Sequence, residues 1–198
     1  MIELLGTLLG GIDKVKLMRL FLANPDYIFT EGEVVARSQI KIKNAKRELK
    51  NLLKIGFIKD RKFWTGEKAN RKRANGLQLN PDFQLLQSVK HLLFNTEPFT
   101  KKQIVERFKG TGQLKLIIVS GVFMKLEERR ADLLIVGDAL RKKVIENVIR
   151  TMEAEIGHEL TYSIFETEEY KYRLGMYDKL IRDILDYPHD VVVDKLVV

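Results

Sequence analysis

The chain has 198 residues, with no cysteine, four prolines, three histidines and one tryptophan. Without cysteine it can form neither a disulfide nor a thiolate metal site. His91, His158 and His189 stand far apart, without the spacing of a metal motif, and surface or capping roles are expected for them. No apolar run approaches the roughly 20 residues that cross a bilayer as a helix. The opening MIELLGTLLGGIDKVKL is too short and interrupted for a signal peptide. No nucleophile motif is recognisable. The expectation is a cytoplasmic protein with no membrane partner. Its 45% apolar residues suffice for a packed core, and its 31% charged residues for a solvated surface.

Charge is distributed unevenly. The net charge is +8. Residues 1–98 hold 18 Lys and Arg against 10 Asp and Glu, whereas residues 99–198 hold 17 of each. The excess therefore lies entirely in the first half. Such asymmetry points to a basic module that meets a polyanion, followed by a neutral module with another task. Two domains are expected, 1–98 and 99–198, with a boundary in NTEPFT, where Asn95, Pro98 and Thr100 punctuate the chain.

In the first half, DKVKLMRLFLA puts Val15, Met18 and Leu22 on one helical face, widened by Leu17 and Phe21. Pro25 and Asp26 end this helix. Thr30 followed by Glu33 is a capping-box start for a second. KNAKRELKNLLKIGF predicts a third, with Ala45, Leu49, Leu52 and Leu53 inward and Gly56 as its stop. FIKDRKFW and NGLQLN then read as two strands around the basic segment TGEKANRKRA. PDFQLLQSVKHLLF predicts a fourth helix from Pro81. The outward side of the third helix carries Lys43, Asn44, Lys46, Arg47 and Lys50, with Lys41 in the preceding turn. The hairpin adds Arg61, Lys62, Lys68, Arg71, Lys72 and Arg73. Lysine and arginine neutralise phosphates. Asn44 and Arg47 are of types that read adenine and guanine edges. Trp64 is expected to brace the hairpin, or else to pack against a sugar.

Helix, helix, helix and basic hairpin, in that order, resemble the winged helix-turn-helix transcriptional regulators of bacteria and archaea over residues 10–80. The resemblance implies double-stranded DNA as partner, read by the third helix and flanked by the hairpin.

In the second half, TKKQIVERF reads as a short helix capped by Thr100, LKLIIVSGVF and ADLLIVG predict strands, DALRKKVIENVIRTMEAEI a long helix capped by Asp138, and ELTYSIFE a third strand. Two further helical segments and a terminal strand, HDVVVDKLVV, follow. Interleaved helices and strands indicate an α/β sandwich. Gly110-Thr111-Gly112 is read as a turn. Ser120-Gly121, a gap of ten residues (122–131) and Asp132 resemble the minimal nucleotidyltransferases. In that family a Gly-Ser turn cradles nucleotide phosphates and an Asp-x-Asp pair opens the next strand. There the paired carboxylates hold divalent metal. This chain departs from the pattern. Its small pair is Ser-Gly, its second carboxylate position is Leu134, and Thr161 and Ser163 stand where a third acid often lies. Ser120, Gly121 and Asp132 are read as the remnant of a nucleotide site, with no catalytic and no metal-binding residue assigned. For Asp132 a structural role is expected, with Arg129 or Arg130 as partners.

The expected whole is a two-domain α/β protein, an N-terminal winged helix-turn-helix and a C-terminal nucleotidyltransferase-like mixed sheet with helices. It is expected to regulate transcription without a cofactor. Its second domain would sense a nucleotide or other ligand, form a homodimer, or dock a protein partner. The alternatives are a nucleotidyltransferase with residual Mg²⁺-dependent activity and a toxin–antitoxin component.

Overall fold

The computed structural model describes residues 2–65, 72–95, 98–124 and 131–196. It is an α/β protein, with nine helices and two small sheets among these residues. The chain divides into two compact units. One comprises Met1–Thr96 with Thr151–His158, the other Glu97–Arg150 with Glu159–Val198.

The first unit contains α1 (Ile2–Leu9), α2 (Ile12–Ala23), α3 (Glu31–Ser38) and α4 (Ile42–Lys54). An antiparallel hairpin, β1 (Ile58–Thr65) and β2 (Lys72–Leu79), follows, and then α5 (Leu86–Phe94). Phe29, just ahead of α3, adds a one-residue bridge to Leu77, with two main-chain hydrogen bonds of 2.9 and 2.7 Å. The core joins Val15, Leu17, Met18 and Phe21 of α2 to Val34, Leu49, Leu52, Ile58, Leu77 and Leu93. Phe29 closes edge-on against Phe21, ring centroids 5.4 Å apart.

The capping box that Thr30 and Glu33 foretell is present. Thr30 Oγ1 accepts from the Glu33 amide, and the Glu33 carboxylate accepts from the Thr30 amide at 2.7 Å. Partial burial works against the charged carboxylate. Hydrogen bonds from the main chain and side chain of Thr30 and from the Tyr27 hydroxyl, with the charge of Arg37, outweigh it and lower the Glu33 pKa. A depressed carboxylate stabilises the fold fully above its unfolded pKa, and that contribution is lost as the pH falls through the folded value. Thr30→Ala is therefore expected to cost about 1 kcal/mol at neutral pH. In urea melts the penalty should shrink on acidification below the ordinary glutamate range.

The apolar stripe of α2 is only part of its buried surface. Leu20 and Arg19 are buried as well. Residues 151–158 account for this within the first unit. Asn24 Nδ2 donates to the Gly157 carbonyl at 3.0 Å and Arg19 Nη1 to the Glu155 carbonyl at 2.9 Å. Gly157 has φ +86°, and a Cβ there would come within 2.5–2.6 Å of the Arg19 and Leu20 backbone. The close approach requires glycine. The fourth helix starts five residues later than Pro81 suggests, because Asn80 organises turns ahead of it. Its carbonyl accepts from the Phe83 amide and its side chain from the Asp82 amide. Phe83, freed from the helix, packs edge-on against Phe57.

The second unit has α6 (Lys101–Arg107), β3 (Gln113–Val119), β4 (Leu133–Asp138), α7 (Lys142–Ile156), β5 (Tyr162–Phe165), α8 (Thr167–Gly175), α9 (Lys179–Leu185) and β6 (Asp190–Asp194). From Thr151 onward the residues of α7 belong to the first unit. The sheet order is β5-β4-β3-β6, with β4 and β5 parallel and the other pairs antiparallel. One sheet face packs Leu116, Ile118, Leu134, Val136 and Phe165 with Tyr170 of α8 and Ile181 and Ile184 of α9. Alternate residues Ile117, Val119, Leu133 and Ile135 are buried too. Burial on both faces gives the strands continuous apolar runs.

Thr100 caps α6 in a box with Gln103. Asp138 does not cap α7, which begins at Lys142; its carboxylate accepts from the Thr167 amide at the start of α8. The Thr111 hydroxyl donates to the Phe108 carbonyl and the Thr111 carbonyl accepts from the Arg141 amide, so Gly110–Gly112 is a turn tied to the end of α6 and to the residue before α7. Among the described residues no helix is long and apolar enough to cross a membrane.

Candidate nucleic-acid interface

The sequence of α4 separates into two faces. Ala45, Glu48, Leu49 and Leu52 are buried, while Lys43, Lys46, Arg47, Lys50 and Lys54 are exposed. Lys41 is the exposed residue immediately before the helix. The one acid of this helix, Glu48, is buried and satisfied. Lys14 lies 3.8 Å from it, Arg47 Nε donates to it at 2.9 Å and Asn51 Nδ2 at 3.3 Å. Glu48 thus removes no charge from the outer face except by holding Arg47. Lys46 reaches Glu31 at 3.5 Å, both side chains being mostly exposed. Exposed pairs of this kind are worth about 0–1 kcal/mol, so a phosphate can displace them. Among the described residues Lys41, Lys43 and Lys50 have no ion-pair partner.

Asn44 is placed otherwise than a base-reading role suggests. It is half-buried, and its Nδ2 donates to Asp13 Oδ2 at 2.8 Å, tying the start of α4 to the first turn of α2. An apolar residue that sequence reasoning passed over, Ile42, is 61% exposed between Lys41 and Lys43. An aliphatic side chain there suits a thymine methyl group. Its position within the turn-to-helix junction gave no periodic signal.

The hairpin adjoins α4. In the register of β1 and β2, Ile58 faces Leu79, Asp60 faces Leu77, Lys62 faces Asn75 and Trp64 faces Arg73. Side chains alternate across a strand, so all eight share one face. Its inner end, Ile58, Leu77 and Leu79, packs in the core with Leu49 and Leu52 of α4. Further out, Asp60, Asn75 and Leu77 line a cleft of about 200 Å³ together with Lys46, Leu49, Lys50 and Leu53 of α4. The basic face of α4 and this side of the hairpin therefore meet at one surface. Lys62, Trp64 and Arg73 are exposed at its outer end. Arg61 is exposed on the opposite side of the strand, where Nε donates to Gln78 Oε1 at 3.0 Å. Lys68 and Arg71, and the side chain of Lys72, lie outside the described residues.

In the second unit, Ser120, Gly121 and Asp132 are brought together. β3 ends at Val119 and enters a 3-10 turn, Gly121–Met124, with Gly121 at φ +52°. Asp132 is 1% exposed. Its Oδ1 accepts from the Val122 amide at 2.8 Å and its Oδ2 from the Thr161 amide at 2.9 Å. The main chains of Ser120 and Asp132 are also bonded at 2.9 Å, and Ser120 Oγ donates to the Pro188 carbonyl at 2.8 Å. A turn amide that would face a phosphate in a nucleotide site here faces Asp132. Leu134 is in the core. Arg129 and Arg130 lie outside the described residues. These groups do not fit a divalent cation, which needs several oxygen ligands with free lone pairs. Among the described residues no cluster of three or more His, Asp or Glu is placed to hold a metal.

Comparison with protein-family models, with curated proteins and with solved structures finds no match to this chain.

Proposed function

We propose that the protein is a DNA-binding transcriptional regulator, with a winged helix-turn-helix as its first unit. In this reading the second unit is a nucleotidyltransferase-like domain serving sensing, dimerisation or partner docking rather than transfer. The observation that carries it is the single surface made by the outer face of α4 and the adjoining side of the hairpin. Cations populate both parts, while the apolar face of α4 and the inner end of the hairpin are buried in one core. The order of three helices and a hairpin, with Phe29 bridged to Leu77, supports the same reading. An α-helix fits the major groove of B-DNA, and a β-hairpin beside it meets the flanking phosphates. Lys43, Lys46 and Lys50 recur on one side of α4 at helical spacing, suited to phosphates along one groove wall. Arg47 is the candidate for a guanine edge once it leaves Glu48. Asp132 acts in this reading as a structural bracket, which the two amide hydrogen bonds support.

The test is binding of the full chain to its own upstream DNA across a salt series. Affinity should fall steeply with salt, log K against log [salt] losing about 0.9 per phosphate neutralised. Replacing Lys46, Arg47 and Lys50 together with alanine should flatten that slope by about 2–3 and abolish specific retention. Unchanged binding by the triple variant would sink the proposal. Mg²⁺-dependent transfer of a labelled nucleotide, stopped by Asp132→Asn, would replace it with the enzymatic alternative.

A further inference from the structure

Trp64 is the sole tryptophan of the chain. It is 63% exposed, so it does not brace the hairpin as the sequence suggests. A ring of this size normally contributes its area to a core or an interface. Its surroundings indicate what covers it. On the same face of the hairpin the neighbouring positions are Arg73, directly across, and Lys62 and Asn75, one pair inward. All three are exposed, and none is apolar. A protein surface would meet a lone aromatic set among cations and an amide here, with no apolar residue beside it on this face among the described residues. A nucleobase offers what the setting suits: a flat π-face with phosphates close beside it.

Continuous duplex does not present that face. Stacking covers it on both sides, and only base edges open into the grooves. A ring at the outer end of the hairpin can stack on a base only where one is unpaired or splayed, as at a bulge, a gap or a melted step.

We propose that Trp64 stacks on an unpaired base while Arg73 and Lys62 hold the adjoining phosphates, so that the preferred ligand is duplex DNA interrupted by unpaired nucleotides. This rests on the reading of the first unit as DNA-binding and names the form of DNA it selects.

The sole tryptophan makes the full chain its own reporter. It would be titrated with a continuous duplex and with the same duplex carrying a short bulge, following intrinsic fluorescence and, separately, anisotropy of labelled DNA. The bulged duplex should quench the tryptophan strongly and bind about ten-fold tighter than the continuous one. Trp64→Ala should bring bulged and continuous duplex to equal affinity, and Trp64→Phe should retain most of the preference. Because the ring is exposed, neither variant should alter the circular dichroism spectrum. Equal affinity of wild type for the two DNAs, without quenching, overturns the inference but leaves DNA binding standing. Failure to bind either DNA at low salt overturns both.

Discussion

Arg19→Met is expected to destabilise the first unit by about 4 kcal/mol, the range for removing one partner from a buried charged network. Arg19 is 2% exposed at the middle of α2. Its Nε and Nη2 donate to the Leu93 carbonyl at 3.2 and 2.9 Å, and its Nη1 donates to the Glu155 carbonyl. Those two carbonyls lie in the last turns of α5 and α7, the part of a helix where carbonyls run out of helical amides. One guanidinium therefore caps two helix C-termini and places a positive charge at two negative dipole ends. Burial pushes the Arg19 pKa down, and the charge of buried Glu155 opposes this. Methionine fills similar volume but removes the three guanidinium hydrogen bonds to these carbonyls and the cation beside Glu155. Urea denaturation followed by circular dichroism measures the loss. A variant within about 1 kcal/mol of wild type, the net worth of one ordinary hydrogen bond, would show that the caps are dispensable.

Asp132→Ala is expected to cost the second unit about 3 kcal/mol. Hydrogen bonds to a charged group contribute about 1.5–3 kcal/mol each, and Asp132 accepts two from main-chain amides. Water reaching the exposed Thr161 recovers part of the sum. Asp132→Asn keeps one acceptor but turns an amide NH₂ toward a main-chain donor, so about half the loss is expected. The measurement is again urea denaturation, made with and without Mg²⁺. If Asp132 is a structural bracket, both variants are destabilised irrespective of Mg²⁺. Full stability of Asp132→Asn would contradict the bracket and return the residue to ligand chemistry.

Local signals were readable from the chain. Thr30 with Glu33 and Thr100 at the head of α6 act within one turn, and a cap needs no distant residue to form. The division of α4 into apolar and basic sides follows from a period of 3.6 residues. The start of the fourth helix was misplaced because Pro81 suits a first helical turn, whereas the competing turns at Asn80 depend on a side chain folding back. Asp138 looked like a cap because it precedes a helix in sequence. Its partner, Thr167, is 29 residues away across a parallel strand pair.

What the sequence determined by itself is therefore most of the elements, α1 excepted, the location of positive charge, and the loss of the second carboxylate at Leu134. Each is a property of residue type and short-range periodicity. The tertiary structure alone decided which groups are buried and whom they meet. It enclosed Arg19 between two helix ends drawn from residues 93 and 155, and locked Asp132 between two amides. It also left Trp64 in solvent beside Arg73. Burial depends on contacts between residues far apart in the chain, and no local pattern encodes them.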